Sequence, residues 1–168
     1  MSLVIEDGTG KPDAESFATA AELVIYAGKF GVTIPQTEGE QEALLRRAAL
    51  QMQTMNWKGC RAHPDQALSW PRKKVEVDGE ILPSTYIPAR IEYGQMALAG
   101  EIYADGLDPP EKRTGPVIRE RVEGAVDVQY AEVASVNRGK LLPAAPDRPS
   151  QAQFADYLAK RGLFAVRV

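Results

Sequence analysis

The sequence predicts a mainly α fold: a small helical bundle of three core helices plus a short C-terminal helix, with a minor β-hairpin and long arms and loops. Three observations point there. A Ser or Thr followed three residues later by Glu or Gln, the spacing of a capping box, occurs at Thr19/Glu22, Thr37/Glu40 and Ser150/Gln153. Apolar residues recur at helical spacing after the first two of these and again from Ile87 to Ile102. Sustained period-two alternation is confined to a stretch at about 117–131, which is too little for a β fold.

In order along the chain, residues 1–18 read as an extended N-terminal arm punctuated by Gly8, Gly10 and Pro12. The first helix starts at Thr19, buries Leu23, Val24, Ala27 and Phe30, and stops at Gly31. The second, from Thr37 to Met55, sets Leu44, Leu45, Ala48, Ala49, Met52 and Met55 against Glu42, Arg46 and Gln53 on the solvated side. From Asn56 to Pro83 the periodicity fails. Asp78-Gly79 between Val77 and Glu80 suits a tight hairpin turn, and Trp57 and Trp70 anchor the connection to the core.

The third helix opens near Ser84 or Thr85 with Pro88 in its first turn, and Asp105-Gly106 ends it. Its small residues Gly94, Ala97 and Ala99 would let another helix approach closely. A hairpin at about 117–131 closes a helical domain spanning 19–135. Residues 136–168 supply a loop, a short helix showing Phe154 and Leu158, and a C-terminal tail.

The totals exclude several classes. A chain of 168 residues buries enough surface to fold without metal or disulfide, and the single Cys60 permits no internal disulfide. No apolar run approaches the roughly 20 residues a membrane span needs, so no membrane partner is expected. A net charge of -3 argues against a protein built mainly to coat nucleic acid, although it leaves room for a local basic face.

Catalytic signals are few. Cys60 and His63 lie close in sequence, but zinc needs three or four protein ligands and no second cluster accompanies them. Gly8-Thr-Gly10-Lys11 lacks both the glycine spacing of a phosphate loop and a Ser or Thr after the lysine. We therefore expect no catalytic residues, no metal and no cofactor. The basic groups carry more. Lys58, Arg61, Arg72, Lys73 and Lys74 lie around Trp57 and Trp70, the mixture a single-stranded nucleic-acid site would use. The same residues also fit a solvated face around an anchored loop.

The order of motifs adds to this reading. Val4-Ile-Glu-Asp-Gly-Thr-Gly-Lys11 opens the chain, Leu44-Leu-Arg-Arg-Ala-Ala49 lies in the second helix, and Trp57-Lys-Gly59 and Gln66-Ala-Leu-Ser-Trp-Pro-Arg72 follow. Ile87-Pro-Ala-Arg-Ile91 then opens the third helix. Over residues 1–135 this series resembles a family of small tailed-bacteriophage proteins encoded among head and tail genes, labelled head-tail connector or adaptor proteins and also DnaT-like single-stranded-DNA-binding proteins.

The connector label implies a structural subunit of the virion at the head-tail interface, made in the host cytoplasm. It would assemble with itself into a ring, typically a dodecamer, between the portal protein and a tail-completion, stopper or tail protein. Double-stranded DNA would pass through the lumen without being read. The DnaT-like label implies binding of single-stranded DNA. Candidate contacts with partner or DNA are Trp57, Lys58, Arg61, Arg72, Lys73 and Lys74, together with Phe164, Val166 and Val168 of the tail.

Overall fold

The computed structural model describes residues 3–107 and 148–159, together with the backbone of two strands at 117–122 and 126–130. Helices α1 (Ala20–Phe30), α2 (Glu38–Gln53) and α3 (Ala89–Leu107) form the bundle, and α4 (Pro149–Phe154) packs against α3. Between α2 and α3 lie two small ribbons: β1 (Cys60–Arg61) with β2 (Arg72–Lys73), and β3 (Glu76–Val77) with β4 (Glu80–Ile81). Strands β5 (Val117–Val122) and β6 (Val126–Tyr130) pair antiparallel, with a register shift between Val117 and Arg119. The fold is mainly α with a minor hairpin component, as the sequence predicts.

Each helix end shows how far local signals reach. At α1 the capping box is complete: Thr19 Oγ1 accepts from Glu22 N–H, and the Glu22 carboxylate accepts from Thr19 N–H at 2.7 Å. Gly31 ends the helix at φ 66°, a conformation that costs a residue with a Cβ far more. At α2 Thr37 is the N-cap, but its hydroxyl donates to the Glu40 carboxylate instead of capping a backbone N–H. At α4 the expected box is absent: Arg148 is the N-cap, Pro149 stands at N1, and Ser150 lies inside the helix. The N–H and hydroxyl of Ser150 both donate to Glu101 of α3, at 2.9 and 2.8 Å. A carboxylate from a distant helix thus satisfies an orphan donor of α4.

Helix α3 is the centre of the bundle, and every residue from Gly94 to Gly100 is buried. Its small residues work as expected, since a Cβ at Gly94 would collide with the ring of Phe154. Gln95, fully buried, ties three segments together. Its Nε2 donates to Leu45 O of α2 and to Ser16 Oγ, and its Oε1 accepts from Phe17 N–H at 2.8 Å. A buried amide with all its partners costs little, whereas one left unpaired costs about 1–3 kcal/mol.

The segment before α1, read from the sequence as an extended arm, folds back on itself. The buried Glu6 carboxylate accepts from the N–H groups of Gly8, Gly10 and Lys11 at 2.8–3.0 Å. Ala14, Phe17 and Ala18 join the core.

Two face assignments are corrected. On α1 the inward residues are Ala20, Leu23, Tyr26 and Ala27, while Val24 and Phe30 point outward. On α2 Glu42, expected on the solvated face, is buried and pairs with Arg46.

Candidate nucleic-acid interface

The connection after α2 is held from within by its aromatic residues. Trp57 donates its indole N–H to Met52 O at 2.7 Å, which folds it back on the last turn of α2. Trp70 is 0 % exposed and meets Trp57 edge-on, with ring centroids 6.0 Å apart. Phe154 and Tyr157, from α4 and the turn after it, complete the cluster through edge contacts with Trp57 and Trp70 respectively. Both tryptophans therefore anchor the loop, as the sequence reading has it.

Around this cluster the backbone closes a ring of hydrogen bonds. Lys58 N–H donates to Tyr157 O and Ala159 N–H to Asn56 O, so the chain after α4 lies against the start of the loop. Gln66, buried and unremarked in the sequence, accepts from His63 N–H and donates to Leu68 O and Pro71 O. The Trp70–Pro71 peptide is cis. Gly59 sits at φ 67° with Lys73 O so close that a Cβ would clash, which is how β1 and β2 come together at the ribbon's root.

The five cations of this region then separate into two kinds. Arg72 is a structural clamp: Nε donates to Lys58 O at 2.8 Å, Nη1 to Ser69 O at 3.0 Å and Nη2 to Gly59 O at 2.9 Å. Burial pulls its pKa below the usual guanidinium range, the cost of enclosing a charge with carbonyls in place of water. Lys58 is half-buried and its ammonium donates to Glu76 O.

Arg61, Lys73 and Lys74 are exposed. Arg61 is the cross-strand partner of Arg72 and Lys73 that of Cys60, so Arg61 and Lys73 stand on adjacent rungs of the ribbon and project from its two opposite faces. Lys74 follows at φ 59°, a left-handed turn that leads the chain away into β3. Beyond it Asp78 (φ 53°) and Gly79 (φ 86°) form the tight turn expected between β3 and β4. That hairpin carries Glu76, Asp78 and Glu80, and Glu76 and Asp78 line a shallow concavity together with Lys58 and Lys74.

The chain matches, over residues 1–167, the family described as "Putative DnaT-like ssDNA binding protein". It belongs to that family. No curated protein and no solved structure matches it. Of the two labels that the sequence resemblance carries, this match bears on the DNA-binding one, and nothing found bears on the connector label.

For a member of this family the arrangement divides the sequence-derived candidates. Lys58 and Lys74 line one shallow concavity at the root of the ribbon, while Arg61 and Lys73 stand on its adjacent rungs. Trp57 and Arg72, also among the candidates, are occupied in holding the loop. Phe164, Val166 and Val168 lie outside the described residues. Arg46, expected on the solvated side of the second helix, is bound by Glu15 and Glu42, and its hydrogen bond holds the Glu15 carboxyl below the usual carboxylate range. Sequence spacing shows where cations are, but not which have partners.

Proposed function

We propose that the protein binds single-stranded DNA without altering it, holding the phosphate backbone along the β1–β2 strip with Arg61, Lys73 and Lys74, and with Lys58 at the strip's root. Family membership over residues 1–167 is the observation that carries this reading. The exposed cations supply the means: Arg61, Lys73 and Lys74 make no side-chain ion pair among the described residues, and the one hydrogen bond of the Arg61 guanidinium, to Gln66 O at 3.4 Å, is long. Stacking on Trp57 or Trp70 is not part of the proposal, because both rings are buried. Recognition is then electrostatic and indifferent to sequence.

The affinity should be modest, given the net charge of -3 and the carboxylates of the neighbouring hairpin. The test is fluorescence anisotropy of a labelled oligothymidylate across a salt series. Four phosphate contacts give a slope of log K against log salt of roughly -3 for a single strand. Tryptophan emission should stay unchanged as binding saturates. No binding even at about 50 mM salt, where electrostatic affinity is strong, would remove the proposal.

A second reading has one observation in its favour. The outward side of α1 is apolar, which suits a subunit that assembles with other proteins, as a ring subunit between phage portal and tail would. Under it, the isolated chain is monomeric or weakly associated and enters a ring on the portal protein. Native mass spectrometry with and without portal separates the two readings. A chain that binds oligonucleotide and never joins portal supports the first.

A further inference from the structure

Helix α1 has an unusual composition for a surface helix. Of the eleven residues Ala20–Phe30 only Glu22 and Lys29 are charged, and the outward positions hold Val24, Ile25 and Phe30, the last two 56 % and 58 % exposed. A helix apolar all round is ordinarily covered on all sides. Ile25 also lines, with Tyr26 of the same helix and Tyr93 and Met96 of α3, a groove of about 190 Å³ between the two helices. Two carboxylates, Glu22 and Glu92, share this groove with one cation, Lys29. Burial, and then the neighbouring Glu22, push the Glu92 carboxyl above its usual range.

Residues 160–168, Lys-Arg-Gly-Leu-Phe-Ala-Val-Arg-Val, have the complementary chemistry. Leu163, Phe164, Val166 and Val168 are apolar, Lys160, Arg161 and Arg167 are basic, and no residue is acidic. We propose that residues 160–168 of one copy dock into the α1–α3 groove of a second copy, with the apolar side chains against Ile25, Tyr93 and Met96 and the cations against Glu22 and Glu92.

The position of Ala159 favours a second copy over the same one. Ala159 is hydrogen-bonded to Asn56 beside the end of α2, and α4 reaches that place along the flank of α3 that holds Gly94. At 3.6 residues per turn, Tyr93 and Met96 are turned about 100° and about 160° away from Gly94 around α3. Departure point and groove therefore lie on opposite flanks, the arrangement of a heterologous, head-to-tail contact. This inference is independent of DNA binding, since neither the groove nor residues 160–168 include the basic strip.

Two full-length variants test it: Ile25→Glu, which spoils the groove, and Phe164→Asp, which spoils the docking segment. In sedimentation velocity over a concentration series the wild type should associate. Each variant alone should stay monomeric, with association weakened about tenfold or more, equivalent to about 1.4 kcal/mol. An equimolar mixture should recover a dimer and nothing larger, because one sound groove and one sound segment remain. Circular dichroism melts of both variants should match the wild type, Ile25 being largely exposed. A wild type monomeric at every attainable concentration, variants that associate normally, or a mixture that stays monomeric would each overturn the proposal. Salt-series anisotropy is unaffected by these variants, so its failure and this one are distinguishable.

Discussion

The connection between α2 and α3 and the helix α1 are opposites in form and in burial. The connection has only two-residue strands, yet it encloses the largest fully buried side chain, Trp70, and an arginine whose guanidinium is turned on three backbone carbonyls. Helix α1 is regular, fully capped and correctly ended, yet it leaves Val24, Ile25 and Phe30 toward solvent. Regular backbone is thus no guide to where the free energy of folding is concentrated. An irregular segment can be well packed when its aromatic residues are enclosed and most of its polar groups are answered, and a regular one can carry a face that stabilises nothing in the isolated chain.

The comparison is broken most easily at Trp70. Trp70→Ala should destabilise the protein by about 3 kcal/mol or more, measured by denaturant melts, as large aromatic truncations in cores do. Trp70→Phe should cost clearly less, because the buried indole N–H finds no acceptor among the described residues and its removal relieves a desolvated donor. An unchanged midpoint for Trp70→Ala would mean that the loop is not anchored as described.

Next in size is the clamp. Arg72→Ala should cost about 2 kcal/mol, since three carbonyls lose a charged donor and water replaces it only in part. A variant that melts like the wild type and loses only DNA affinity would return Arg72 to the binding surface.

On the other side of the comparison, Val24→Ser should change stability by no more than about 0.5 kcal/mol, as surface substitutions away from special features do. A larger loss in dilute solution would show that α1 is covered within the monomer.

The smallest effect belongs to Glu92, whose pKa is raised above 4.5 chiefly by burial and then by Glu22. A carboxyl with a raised folded pKa carries no penalty below the unfolded value and an increasing one as pH rises past it. Glu92→Gln should therefore raise the melting midpoint at pH 7 and leave it unchanged at pH 4. Equal shifts at both values would point to packing instead of charge.

These contrasts also mark what can be read from the residues alone. The presence and order of the helices, the tight turn at Asp78-Gly79 and the anchoring role of the tryptophans follow from short-range rules, and the structure agrees with each. The bounds of α3 differ: it starts at Ala89, after Pro88, and runs through Asp105-Gly106 to Leu107 instead of opening near Ser84 or Thr85 and stopping at that pair. The inward face of α1 does not follow from such rules. Leu23, Val24, Ala27 and Phe30 fit a 3.6-residue period as well as Ala20, Leu23, Tyr26 and Ala27 do, and an all-round apolar helix gives periodicity nothing to choose by.

Failure at Ser150 has a different cause. Its spacing to Gln153 satisfies the local rule, but Glu101, 49 residues away, takes both its hydroxyl and its own N–H. Glu42 differs again: it is buried although its partner, Arg46, lies only one turn away on the same helix. In the candidate site the run Arg72-Lys73-Lys74 reads as one basic patch. Only the fold shows that its first member faces carbonyls while the other two are exposed and, among the described residues, make no side-chain ion pair.

The most direct measurement is anisotropy of a labelled oligothymidylate with the full chain and with the variant Arg61→Ser/Lys73→Ser/Lys74→Ser, read at about 150 mM salt, where the Debye length near 8 Å screens distant charges. Removing three phosphate contacts should weaken binding about tenfold or more and flatten the salt slope by roughly 2, with the thermal melt unchanged. Undiminished affinity in that variant, at full helical content, would contradict the claim that the β1–β2 strip holds the DNA.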